Sequence, residues 1–138
     1  MLIAMVAMIF LNFLLPLAIA IQSPWNLLGM IPVALGVYIS VVAEKSFRDA
    51  QTTVTPFAES SVLVTNGLYR ISRNPMYLGF ILILIGIAIM MRSLTPFAII
   101  PVFLVAIEKR FVAIEERMLA EKFGMQYTDY TWKTRRWL

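Results

Sequence analysis

The feature that most constrains this chain is a set of four apolar segments of near-membrane length, almost free of charge. An α-helix rises about 1.5 Å per residue, so roughly 20 apolar residues are needed to cross about 30 Å of hydrocarbon. The first segment, 2–21, holds Asn12 and Pro16 but no charge; the second, 25–43, carries Asn26, Pro32 and Ser40 and stops at Glu44 and Lys45. The third, 75–91, opens on Pro75, a residue favoured at the first helical position. The fourth, 94–112, continues without a break through the charged stretch Glu108 to Phe123, which reads as a helix leaving the membrane. These segments predict an all-α integral membrane protein of one domain, with four transmembrane helices, a cytoplasmic loop over 44–74 and a C-terminal helix within a second cytoplasmic segment, 113–138. Ala18-Ile19-Ala20 resembles a signal cleavage site, but the segment has no positive n-region and too long an apolar run, so it is expected to be retained.

Composition narrows the chemistry. The 138 residues are 60% hydrophobic and 14% charged, against about half and about a quarter in soluble domains, which excludes an ordinary water-soluble globule. With no Cys and no His, the chain has no disulfide framework, thiol nucleophile, imidazole base or Cys/His zinc site, and no metal is expected. No Gly-rich or Walker loop follows a strand pattern, which excludes the nucleotide-binding α/β enzymes. Of the 12 Lys and Arg, all but Arg92 fall in 44–74 or from Glu108 onward, together with all 8 acids. The positive-inside rule then makes this a multi-pass membrane protein with both termini cytoplasmic, in the inner membrane if the source is bacterial. No segment carries an ionisable residue at its middle, which argues against a transporter. The basic residues sit at membrane ends, which gives nucleic-acid binding no support.

The chemically informative residues lie in two polar stretches. In the first, Asn66-Gly67 signals a turn. Asn74-Pro75 reads as an N-cap and N1 pair that starts the third helix, gathering Arg73, Asn74, Tyr69 and Tyr77 beside its positive dipole end. In the second, Phe111, Ile114, Met118 and Leu119 form an apolar face, and Gly124 stops the helix. Glu115 and Glu116 diverge by about 100°, so one can face a site while the other pairs with Arg or Lys or meets water. Each stretch alone also fits a plainer reading, an interfacial belt for the first and a solvated Lys/Glu helix for the second. Together they suit a cofactor with an ammonium, a carboxylate, a sulfonium and an adenosine. Glu115 would take the ammonium, helix N–H donors or an Arg the carboxylate, and the faces of Tyr69 or Tyr77 the sulfonium.

The ordered motifs T-T-V-x-P from Thr52, L-V-x-x-G-x-Y from Leu63, R-N-P-M-Y-x-G from Arg73, E-E-x-x-L-x-x-x-F-G-x-x-Y-x-x-Y from Glu115 and the final R-R-W-L resemble the isoprenylcysteine carboxyl methyltransferase and phospholipid methyltransferase superfamily. The resemblance covers about 47–138 and implies a membrane enzyme that uses S-adenosylmethionine. By that resemblance, Ser61, Val62, Leu63 and Val64 hold the cofactor largely through backbone, joined by Tyr69, Asn74, Pro75, Met76, Tyr77 and Glu115, so that 44–74 is a cofactor-binding loop. Arg110 is the counterpart of a substrate-orienting arginine, and Glu116 is a candidate base. Asn74 stands where the eukaryotic enzymes have His, and a neutral carboxamide cannot take a proton at neutral pH. This favours an acceptor that is already anionic or neutral, unless Glu116 or a Tyr serves as base. The expected function is O- or N-methylation of a lipid or membrane-partitioned small molecule. A non-catalytic membrane scaffold or lipid-binding protein is the second reading and a related membrane reductase the third. Oligomeric state and acceptor are not legible in the chain.

Overall fold

The structure, a computed structural model, describes residues 1–16, 21–52 and 61–138. The Ala18-Ile19-Ala20 signal-like site and the Thr53 to Pro56 part of the first motif lie outside the described residues. Among the described residues the regular elements are helical, with one isolated parallel bridge between Ser72 and Arg135. They are α1 (Leu2–Leu14), α2 (Met30–Asp49), α3 (Pro75–Met90), α4 (Ile99–Ile107), α5 (Ala113–Phe123) and α6 (Met125–Lys133). Short 3-10 turns at Trp25–Gly29, Gly67–Arg70 and Thr95–Ala98 precede α2, α3 and α4, and a π turn at Glu108–Val112 joins α4 to α5.

The expectation of four spans is met in part. One described helix, Trp25–Asp49, is long and apolar enough to cross a membrane at 25 residues. The apolar helices α1 and α3 have 13 and 16 residues, about 20 and 24 Å at 1.5 Å per residue. The nine residues of α4 pass directly into the π turn. Hydropathy placed the third segment to within one residue of α3 but started the fourth too early, because apolar residues also occupy the 3-10 turn at Thr95–Ala98. Past α3 the chain reverses at Arg92, in left-handed backbone at φ 67°, and Thr95 and Pro96 are buried in the 3-10 turn that follows.

The chain divides into two compact units, one of 1–38 with 79–105 and one of 39–78 with 106–138. In the first, Ala4 and Met8 of α1 meet Leu84 and Ala88 of α3 in a buried cluster, flanked by Phe97, Ile100 and Phe103. The i, i+4 spacing in both helices puts each pair on one face. The opposite face of α1 exposes Ile3, Val6, Phe10 and Phe13, an apolar surface suited to lipid. Two pairs of glycines seven residues apart, Gly29 and Gly36 along the Trp25–Gly29 turn and α2 and Gly79 and Gly86 along α3, bring backbones together. A Cβ on Gly29 would collide with the Gly86 carbonyl, and one on Gly36 with the Gly79 carbonyl. Such small-residue contacts let apolar helices pack where lipid supplies no hydrophobic drive. At the turns, Arg92 Nε donates to the Ile21 carbonyl at 3.3 Å, and Thr95 Oγ1 donates to the Leu15 carbonyl at 2.5 Å.

In the second unit, Ala43 of α2, Val64 and Tyr69 form a buried cluster with Phe47, Ala50, Leu68 and Met76 packed against it. Gly124 takes φ 50°, the left-handed backbone of a helix stop, and its N–H donates to the Ala120 carbonyl at 2.9 Å. The chain then starts α6 at once, an element that the sequence reading left inside a longer C-terminal segment.

Candidate functional site

The 3-10 turn at Gly67–Arg70 turns Tyr69 inward. Of the Asn66-Gly67 pair only Gly67 takes positive φ, 58°; Asn66 is extended. The Tyr69 ring packs edge-on against Phe47, with centroids 5.3 Å apart, and its carbonyl accepts a 2.6 Å hydrogen bond from Tyr130 Oη. Burial pushes the Tyr69 and Tyr130 phenols well above their ordinary range and Tyr127 up to about 12. All three are therefore neutral near pH 7, fit to donate hydrogen bonds and unfit as resting bases.

The segment Ser72–Asn74 is held by the C-terminal tail. The Arg136 carbonyl accepts from Ser72 Oγ at 3.2 Å and from Asn74 Nδ2 at 3.1 Å, and Arg73 N–H donates to the Arg135 carbonyl at 3.0 Å. The Asn74 carboxamide is thus spent on the tail, while its backbone N–H donates to Ser72 Oγ at 3.1 Å. The helix does begin at Pro75 as the sequence implies. Its first turn closes with the Leu78 N–H donating to the Asn74 carbonyl at 3.1 Å.

The two adjacent glutamates go separate ways. Glu115 Oε1 accepts a 3.0 Å hydrogen bond from Tyr77 Oη, and the Tyr77 ring lies 6.4 Å from that of Phe111. Burial raises the Glu115 carboxyl above its ordinary value, and the tyrosine bond offsets part of the rise. Among the described residues Glu115 has no cationic partner. Glu116 instead meets two guanidiniums, Arg73 at 3.0 Å and Arg136 at 2.6 Å. Arg136 also reaches Glu108 at 2.9 Å, and its hydrogen bonds to Glu116, above all, raise its own pKa.

Of the residues singled out from sequence, Val64, Tyr69 and Met76 share one cluster, and Tyr77 and Glu115 are in direct contact. Pro75 is buried and Leu63 half-buried, while Ser61 and Val62 are exposed, with Ser61 N–H donating to Thr52 Oγ1 at 3.0 Å. Arg110 is exposed on the π turn. Its five-residue separation from Glu115 is poor for a shared face in an α-helix, and the wider π turn narrows that gap. Sequence reasoning missed the part played by Glu108, Arg73, Tyr130 and Arg136. Their partners lie 20 to 64 residues away, a range at which no periodicity signals contact.

These features define a class: a small helical protein with a membrane-length helix, whose polar unit presents a half-buried carboxylate held by a tyrosine and, among the described residues, by no cation. A family model described as phospholipid methyltransferase matches residues 24–126, and the chain belongs to that family. It is 31% identical over 110 residues to protein-S-isoprenylcysteine O-methyltransferase of Saccharomyces cerevisiae, covering 76% of this chain and 45% of that one. It is 36% identical over 75 residues to protein-S-isoprenylcysteine O-methyltransferase B of Arabidopsis thaliana, covering 52% of this chain and 36% of the relative. The chain thus spans less than half the length of either relative. No solved structure matches it significantly. The motif order and the family match agree on the superfamily.

Proposed function

We propose that this chain transfers a methyl group from S-adenosylmethionine to a lipid or lipophilic small molecule at the cytoplasmic membrane face, as an O- or N-methyltransferase. The observation that carries the reading is Glu115, a half-buried carboxylate whose one hydrogen-bond donor among the described residues is the neutral hydroxyl of Tyr77. A carboxylate so placed, without a cation of its own, fits an ammonium group. The cofactor, when bound, supplies an electrophilic methyl whose in-line displacement needs no covalent enzyme intermediate, so positioning can provide most of the acceleration.

The chain's own residues then have distinct tasks. Glu115 holds the ammonium, and Tyr77 keeps that carboxylate oriented. The backbone of Ser61, Val62, Leu63 and Val64, with Tyr69, Asn74, Pro75 and Met76, forms the rest of the cofactor wall. Tyr69 and Tyr77 offer aromatic faces suited to a sulfonium. Arg110 orients the acceptor. Glu116 is the candidate base for an acceptor that must lose a proton. Its oxygens are already held by Arg73 and Arg136, which favours an acceptor that arrives anionic, such as a carboxylate.

Calorimetric titration of the detergent-purified protein with S-adenosylhomocysteine tests the reading. Saturable binding that Glu115→Ala abolishes is the expected result. Heats at background for the wild type would sink it.

A further inference from the structure

The second unit has a feature that methyl transfer does not use. On α6, Met125 and Trp132 are 78% and 85% exposed, an apolar pair seven residues apart on one face. Helical residues advance about 100° each, so Gln126, Asp129 and Lys133 lie just beside that stripe, with buried Tyr130 and Thr134 beyond them. These neighbours form one wall of a cleft of about 410 Å³, closed on the other side by Thr65 and Arg70. Arg70, Lys133 and Asp129 line it without an ion-pair partner among the described residues. Continuity with the membrane-length helix decides the occupant. Residues 39–49 of Trp25–Asp49 belong to this same unit. Tyr69 packs against their Ala43 and Phe47, and Tyr130 of α6 bonds the Tyr69 carbonyl. Thus α6 lies one residue layer from the end of a membrane-length helix, where an exposed tryptophan followed by Lys133 suits the headgroup region.

We infer that α6 is a membrane-surface element: Met125 and Trp132 enter the lipid interface, and the adjoining cleft takes the phosphate of an anionic phospholipid headgroup between Arg70 and Lys133. Thr65 and Gln126 supply neutral donors to the same phosphate. Asp129, at the margin, disfavours a second anionic group.

The test uses the full chain with Trp25→Phe and Trp137→Phe, which leaves Trp132 as its sole tryptophan, in bilayer nanodiscs of phosphatidylcholine with phosphatidylglycerol. Brominated acyl chains should quench most Trp132 emission, and aqueous iodide little of it. Native mass spectrometry should find phosphatidylglycerol enriched on the protein, and Arg70→Gln with Lys133→Gln should weaken that enrichment by about fivefold per charge removed. Neither residue belongs to the proposed methyl-transfer machinery, so failure here leaves that reading standing. Three results would overturn the inference: emission quenched by iodide and untouched by brominated chains, Trp132 shielding that grows with protein copies per disc, which signals self-association, or enrichment abolished by inorganic phosphate at constant ionic strength, which signals a free-anion site.

Discussion

Glu115 costs the fold something and gives the site its chemistry. A carboxylate raised by burial is destabilising in its ionised form, and stability falls as pH rises from the ordinary carboxylate range through the raised value. Above that raised value the cost is present in full. Glu115→Gln should therefore melt at the same temperature as wild type or higher in a thermal scan, while losing S-adenosylhomocysteine binding. In the wild type, affinity measured against pH should drop as pH falls through that raised value, because Glu115 must be ionised to hold the ammonium. Glu116 is the opposite case. With side-chain exposures of 16% for Glu116 and 13% for Arg73, its removal strands a nearly buried guanidinium. Glu116→Ala should cost about 3 kcal/mol in denaturant titration. The divergence of the two acids was legible from their adjacency in a helix. Which cations Glu116 would meet was not, because Arg73 and Arg136 arrive from distant parts of the chain.

The helices show the same division between local and long-range information. Gly124 as a helix stop and Pro75 as a helix start were readable, since each depends on its own backbone geometry. The start of α4 was not, because Leu94, Pro96 and Phe97 are as apolar inside a turn as inside a helix. The backbone contact of α2 with α3 was available in principle. Gly29 and Gly36, like Gly79 and Gly86, are spaced by seven, but only packing shows that the two pairs face each other. Gly36→Ala sets a methyl against the Gly79 carbonyl and Ile83 and should lower stability by about 2 kcal/mol, read as a lower Tm in detergent. The C-terminal tail was seen in sequence as a motif without a task; its task is to tie Ser72–Asn74 to α5 through Arg136. Deleting 136–138 should weaken cofactor affinity several-fold by calorimetry, even though none of these residues is assigned to the cofactor.

For the molecule as a whole, the apolar composition and the confinement of charge to two stretches were the most legible features, since both are sums over the chain. All Lys, Arg, Asp and Glu side chains except Arg92 lie in 44–74 or from Glu108 onward, and a reporter fused after Leu138 should therefore be cytoplasmic. The polar unit assembles from two such stretches, and its contacts, Tyr77 to Glu115 and Tyr130 to Tyr69, join them. The central claim is that this assembly moves a methyl group onto a membrane-partitioned acceptor. Its most direct test is incubation of the nanodisc-embedded protein with methyl-labelled S-adenosylmethionine and a total lipid extract, followed by organic extraction. The account predicts label in the organic phase that disappears with Glu115→Ala. Label at background, from protein that binds S-adenosylhomocysteine normally, would contradict it and leave a lipid-binding protein that keeps the cofactor cleft without the reaction.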